Sequence, residues 1–236
     1  MMKPYVCLIY YIFIFLFPIQ ENHSQEHDFL SEFKWTILHK DKNNRIMSVQ
    51  PGKQENLNIT QKNNEISATK YDQFKIYLQP GKNAYIYIYL YRSNKELIIL
   101  FPQNIKRFEN NIYFSNNFYL PAENSWLSFK RQKDTAKIYF IASTKRLTKL
   151  ETLNQRLLEL IGKSTETKIQ TGRLKQQILH EIILLKRKNI EMEEYTELPI
   201  QIAGSIRGEE KKIQFTASCM QIKNLFIKTI LFKYKY

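Results

Sequence analysis

The chain predicts an α+β fold: a mostly antiparallel β sandwich or partly closed barrel, followed by a helical hairpin and C-terminal strands. Three observations carry this. Tyr85, Tyr87, Tyr89 and Tyr91 alternate with Ile86, Ile88 and Leu90, the period of two in which an extended chain sends successive side chains to opposite faces. Eight to ten short strand candidates follow one another before residue 148 with no crossover helix between them, which favours antiparallel pairing. At Thr148 the period changes to about three and a half, so that Leu150, Leu153, Leu157 and Ile161 share one helical face.

In order along the chain, strands are expected at 33–38, 45–49 and 57–60, separated by Asp41-Lys42-Asn43-Asn44 and Pro51-Gly52. Residues 61–70 read as a loop. Phe74, Ile76 and Leu78 alternate with Lys75, Tyr77 and Gln79, and Pro80-Gly81 supplies a turn in which glycine accepts a positive φ. With the tyrosine strand this reads as a hairpin. Residues 92–95 form the next turn, and 96–101 is a continuous apolar run stopped by Pro102, as in a strand buried on both faces. Shorter strands are expected at 112–114, 117–120, 126–130 and 137–141.

Thr148-Lys149-Leu150-Glu151 fits a capping box, in which hydroxyl and carboxylate satisfy the free amides at a helix start, and Gly162 can close the other end. A second helix is expected over 171–188, with Leu174, Ile178, Ile182 and Leu185 on one face and Lys175, Lys186, Arg187 and Lys188 contributing charge. Strand-like segments follow at 199–206, 212–218 and 225–232, at least one of which should rejoin a sheet.

The organisation read from these signals is a signal peptide over 1–24, a β-rich segment over 25–70, a β domain over 71–147, the helical hairpin over 148–190 and C-terminal strands over 191–236. The first segment has Lys3, an apolar run over 5–17 and then Pro18. A membrane-spanning helix needs about 20 apolar residues, so this shorter run reads as a secretory leader cut near Ser24. Cys7 lacks the small residues that precede a lipidated cysteine. After cleavage only Cys219 remains, so disulfides cannot staple the domain and Cys219 reads as a small apolar residue.

The 36 basic and 22 acidic residues leave a net charge of +14, spread along the chain: 17 basic against 11 acidic residues in 25–143, and 18 against 10 in 144–236. Outside the cytoplasm such a domain is drawn to anionic polymers. Lysine, asparagine and isoleucine are abundant throughout, as an AT-rich genome would also produce, so the charge alone leaves both readings open.

Catalytic and metal motifs are missing from the sequence. His180-Glu181-Ile182-Ile183-Leu184 begins like a zinc-protease helix but has leucine where the second histidine must stand, and His27 and His39 lie far from it in the chain. No Gly-x-Ser-x-Gly, phosphate loop or paired-cysteine motif occurs. Gly204-Ser205-Ile206-Arg207-Gly208 could set backbone donors and an arginine around a small anion, but the favoured reading is a strand ending in a turn, and Asn58-Ile59-Thr60 is a glycosylation triplet only in a eukaryotic secretory route. The remaining candidate ligand site is the tyrosine stripe Tyr85, Tyr87, Tyr89 and Tyr91 with Lys75, Lys82 and Arg92, where aromatics could stack on sugars or bases and cations hold anionic groups. The competing account is packing, with the helical hairpin covering the phenols.

Five features taken together resemble the bacterial family known as domain of unknown function 4384. They are the strand ending in Pro80-Gly81, the aromatic strand from Tyr85 to Tyr91, the run into Leu100-Phe101-Pro102, the stop at Phe118-Tyr119-Leu120-Pro121, and the strand from Ile138 to Ser143 leading to Leu147. Relatives often place Pro-Gly before the last strand, where this chain has Gln132-Lys133-Asp134. The resemblance implies a secreted or envelope-associated β domain, attached in other proteins to peptidase-like or kinase domains, and brings no catalytic residues.

The expected function is therefore an exported, non-enzymatic envelope protein, periplasmic or at the cell surface, acting as a binding or accessory module without metal or cofactor. Its expected partner is a protein or an anionic envelope or host polymer, with no specific nucleic acid, and with a membrane only through the transient leader. The alternatives are a surface adhesin for anionic polymers and an assembly subunit docking by its helices.

Overall fold

The computed structural model describes residues 31–49, 61–62, 64–109, 113, 116–122, 125–128, 135–161, 167–189, 195–205 and 212–234. The leader over 1–24, the strand over 57–60, the glycosylation triplet and the Gly162 cap lie outside the described residues, as does the strand over 112–114 apart from Tyr113.

Thirteen strands build two sheets among the described residues. The first sheet contains β1 (Ser31–Lys40), β2 (Ile46–Val49), β5 (Gln73–Pro80), β8 (Phe118–Leu120), β9 (Leu127–Ser128), β11 (Tyr195–Ser205) and β12 (Lys212–Ile222). Its order is β11-β12-β1-β5-β8, with β2 continuing beside β1 and β9 beside β5. The second runs β3-β4-β13-β10-β6-β7, from β3 (Gln61–Lys62), β4 (Glu65–Ala68), β13 (Leu225–Tyr234), β10 (Thr135–Ser143), β6 (Tyr85–Arg92) and β7 (Leu97–Phe101). Pairing is antiparallel except between β13 and β4. Strands from the segments 25–70, 71–147 and 191–236 thus share both sheets, β11 and β12 joining the first and β13 the second.

The sheets face one another across an aromatic core, and each keeps free edges, so the fold is a sandwich and not a closed barrel. Phe140 of β10 lies 5.5 Å from Phe33 and 4.8 Å from Trp35 of β1, ring centre to ring centre, and Phe232 of β13 meets Phe74 of β5 at 4.9 Å. All five rings are almost fully buried. Truncating such a ring to alanine costs about 3–5 kcal/mol, so this layer dominates the stability of the sandwich.

Helices α1 (Thr148–Leu160) and α2 (Thr167–Asn189) form a third layer on the outer face of the second sheet. They bury Leu150 and Leu157 from α1 and Ile178 and Ile182 from α2. The period of two in β6 serves both neighbours. Ile88 pairs with Phe140 and shares the face turned to the first sheet, while Tyr87 and Tyr89 bond to α1.

The structure corrects several sequence expectations. β5 and β6 do not pair: β5 lies beside β1 and β6 beside β10, so the turn between them carries the chain from one sheet to the other. The hairpin is β6–β7 instead. Asn83, with φ 62°, takes the left-handed position in the β5–β6 turn, as Asn44 does between β1 and β2. Gly81 is required for a different reason, because a Cβ there would stand 2.0 Å from the carbonyl oxygen of Glu32. Residues 61–70 are not all loop, since β4 pairs with Leu231–Tyr234, a partner far along the chain. β7 is buried as its apolar run requires, yet it is an edge strand with β6 as its ladder partner.

The capping box does not form. Leu147 occupies the N-cap of α1 without a side-chain hydrogen bond, and Glu151 is drawn instead to Tyr87 and Arg146. α2 begins a turn earlier than expected, with Thr171 inside it and bonded back to the carbonyl of Thr167 at 2.8 Å.

Candidate functional site

The seven residues picked from the sequence lie on three surfaces. Tyr87 and Tyr89 are fully buried between sheet and helix, and Tyr85 and Tyr91 are half-buried at the two ends of the stripe. Arg92 stands at the end of β6, 3.7 Å from Glu96, and Lys82 is exposed in the β5–β6 turn. Lys75 lies on the outer face of the other sheet, buried, with its Nζ 4.9 Å from the centre of the Trp126 ring. The pleat explains this placement. Lys75 alternates with Phe74 and Ile76, whose side chains enter the core, so it must face away from it.

Around the buried phenols the first turn of α1 gathers a polar network. The Tyr87 hydroxyl donates to Glu151 Oε1 at 2.6 Å and accepts the Leu147 amide at 3.0 Å. Arg146 donates to Glu151 through Nε and Nη2, the latter at 2.6 Å. Asn154, buried one turn on, donates to the Tyr89 hydroxyl at 2.8 Å. Burial raises the Tyr87 phenol well above its ordinary value and the Glu151 carboxylate adds to the effect; burial likewise raises Tyr89. The hydrogen bonds to Glu151 raise Arg146 further. Both phenols therefore stay neutral and serve as bonding groups.

Beside this network, between α1 and the 3₁₀ turn Ile105–Glu109, lies a cleft of about 730 Å³. Glu109, Glu151 and Glu159 line it against Lys106 and Arg146, with amides from Gln103, Asn104 and Gln155. Because Glu151 engages the Arg146 charge, the cleft suits a hydroxyl-rich or cationic small molecule better than an anion.

The outward face of α2 has the opposite character. The helix carries Lys168, Arg173, Lys175, Lys186, Arg187 and Lys188 against the single acid Glu181. Glu181 turns toward α1, where Lys149 pairs with it. At 100° per residue, Ile169, Arg173, Gln176, His180, Ile183 and Arg187 fall within about 40° of one line, opposite the buried Ile178. All six are exposed. Lys168 and Lys188 stand about 100° to either side of the line, on the flanks of the helix, while Lys186 reaches back to Thr229 at 3.2 Å. The result is a cationic stripe along the outermost element of the fold, without an acid on it. Lysine clustering near 186–188 was visible in the sequence; the stripe itself could have been found by extending the helical period toward Ile169.

Other reactive groups have structural partners or no companions. His39 is 3% exposed, stacks on Phe74 at 5.1 Å and places Nε2 2.6 Å from Asp72 Oδ1. This pair pins the end of β1 to the turn before β5. His180 stands on the exposed stripe, and Cys219 is a free, half-buried thiol raised by burial, with Glu32 nearby. Among the described residues no group of three His, Cys, Asp or Glu side chains could hold a metal, and no helix is long and apolar enough to cross a membrane. Gly204 and Ser205 end β11, and the rest of the Gly-Ser-Ile-Arg-Gly segment lies outside the described residues.

Residues 70–146 match the model of the family described as Domain of unknown function (DUF4384), about a third of the chain. The match bears out the resemblance drawn from the strand series and covers β5 to β10, ending at Arg146. Both helices, and with them Glu151 and the cationic stripe, lie beyond it. No curated protein and no solved structure matches the chain.

Proposed function

We propose that this protein is an exported, non-enzymatic binding module that holds an anionic polymer or surface against the outward face of α2. The outward line of α2, with Arg173 and Arg187 on it, Lys168 and Lys188 on the two flanks of the helix and no acid among them, carries the reading. A compositional bias raises lysine everywhere, but it does not clear acids from one helical face. The sandwich and the buried tyrosine layer supply a rigid base for that face, since α2 docks through Ile178 and Ile182 and leaves its charged side to solvent. The leader read from residues 1–24 supports export, where envelope and host polyanions are the available partners.

Titration with heparin at several salt concentrations tests the reading. Log affinity should fall linearly as log salt rises, and Arg173→Gln with Arg187→Gln should weaken binding and flatten that slope. A protein that ignores heparin at low salt, or a double variant with unchanged affinity, would refute it.

A further inference from the structure

We infer that the anionic partner of α2 is a lipid headgroup layer, with Ile169 and Ile183 entering its interface between the cations. This deepens the proposed function and rests on it. The distinguishing observation is the pair of isoleucines, 69% and 45% exposed, on the same line as Arg173 and Arg187. They stand fourteen residues apart, about 21 Å along the axis, one at the start of the stripe and one a turn before its last residue, Arg187. A hydrated polysaccharide has no apolar phase to receive such side chains. A lipid surface supplies one a few ångströms below the phosphates that would take the guanidinium and ammonium groups.

The geometry also fixes the depth of contact. α2 already commits Ile178, Leu179 and Ile182 to the sheet side, so it cannot roll its apolar face into the lipid. The one acid of the helix is turned toward Lys149 of α1, so α2 itself presents no carboxylate to the phosphates, and the acid beside Arg173 is Glu159 of α1. Contact is therefore tangential, made by side-chain tips, and needs charge and apolar anchors together.

Sedimentation with vesicles of phosphatidylglycerol in phosphatidylcholine, beside vesicles of phosphatidylcholine alone and soluble heparin, separates the possibilities. The purified protein should bind the anionic vesicles and leave the zwitterionic ones. Ile169→Ser with Ile183→Ser should weaken vesicle binding about tenfold and leave heparin binding unchanged. Both sites are exposed, and an unchanged circular dichroism spectrum confirms that the variant is folded. Vesicle binding undiminished by the serine variant, or heparin binding with no vesicle binding at all, would overturn the lipid assignment while leaving the cationic face standing. If Arg173→Gln with Arg187→Gln leaves both ligands unaffected, the proposed function itself falls and this inference with it.

Discussion

Tyr87 and Glu151 are joined across the sheet–helix boundary by a 2.6 Å hydrogen bond in which the phenol donates, and the same oxygen accepts the amide of Leu147. One hydroxyl thereby holds both the residue before α1 and the carboxylate in its first turn. Tyr87→Phe takes the acceptor from the Leu147 amide and one donor from the buried Glu151, which keeps only Arg146. We expect a loss of about 1–3 kcal/mol, read from the urea midpoint, against a change within about 0.5 kcal/mol for Tyr91→Phe at the stripe's more open end. Equal effects at the two positions would show that the phenols act only as packing.

Gly81 tests the crossing between sheets. A methyl group there would lie 2.0 Å from the Glu32 carbonyl oxygen, a backbone atom held in the β1 ladder. Gly81→Ala must push β1 and the β5–β6 corner apart, and overpacking of this kind costs about 1–3 kcal/mol. A thermal midpoint within experimental scatter of the parent would mean that the corner yields freely.

Asp72 should report acid sensitivity. Burial works against its charged form, but donation from His39 and from the Thr69 amide and hydroxyl outweighs that and holds the carboxyl below its ordinary value. A group depressed in the folded state contributes stability above its unfolded value of about 3.9, and loses it as pH falls through the folded one. Asp72→Asn should therefore destabilise by about 1–3 kcal/mol near neutrality, with the gap from the parent closing below about pH 4. A gap of constant size down to pH 2 would assign the effect to shape and not to charge.

At the alkaline end the buried phenols set the limit. Burial pushes Tyr77 up to about 12, with Tyr119 adding to it, and raises Tyr87, Tyr89 and Tyr113 as well. Each contributes stability that is complete below the unfolded value of about 10 and declines as pH climbs toward the folded one. Phenolate absorbance from these four should appear together with the loss of near-ultraviolet circular dichroism. Full ionisation of all tyrosines while that signal persists would contradict their burial.

Local periodicity reached some of this molecule and long-range pairing governed the rest. The tyrosine strand and the apolar face of α1 were legible because each repeats within a dozen residues. β4 was not, since the ladder that spans all of Glu65–Ala68 is made with Leu231–Tyr234, far along the chain. The hairpin reading of β5 and β6 failed because a two-strand pattern with a turn says nothing about which neighbours, here β1 and β10, claim each strand. The same limit scattered the predicted ligand residues: Lys75 and Tyr87 sit twelve positions apart in sequence but in different sheets. Glu151 matched a local capping motif, and a tyrosine more than sixty residues earlier took it elsewhere. The start of α2 was missed because Thr167 to Gln170 expose their one large apolar residue, Ile169, to solvent.

The position of β13 has a consequence for how the chain comes together. It lies between β4 and β10, yet every other described strand precedes it in sequence. Until residues 225–234 are available, β3 and β4 on one side and β10, β6 and β7 on the other are two fragments with nothing joining them, and Phe74 has no Phe232 to meet. Completion of the second sheet thus waits on β13, and the half of the sandwich it closes depends on contacts of high sequence separation, which form slowly.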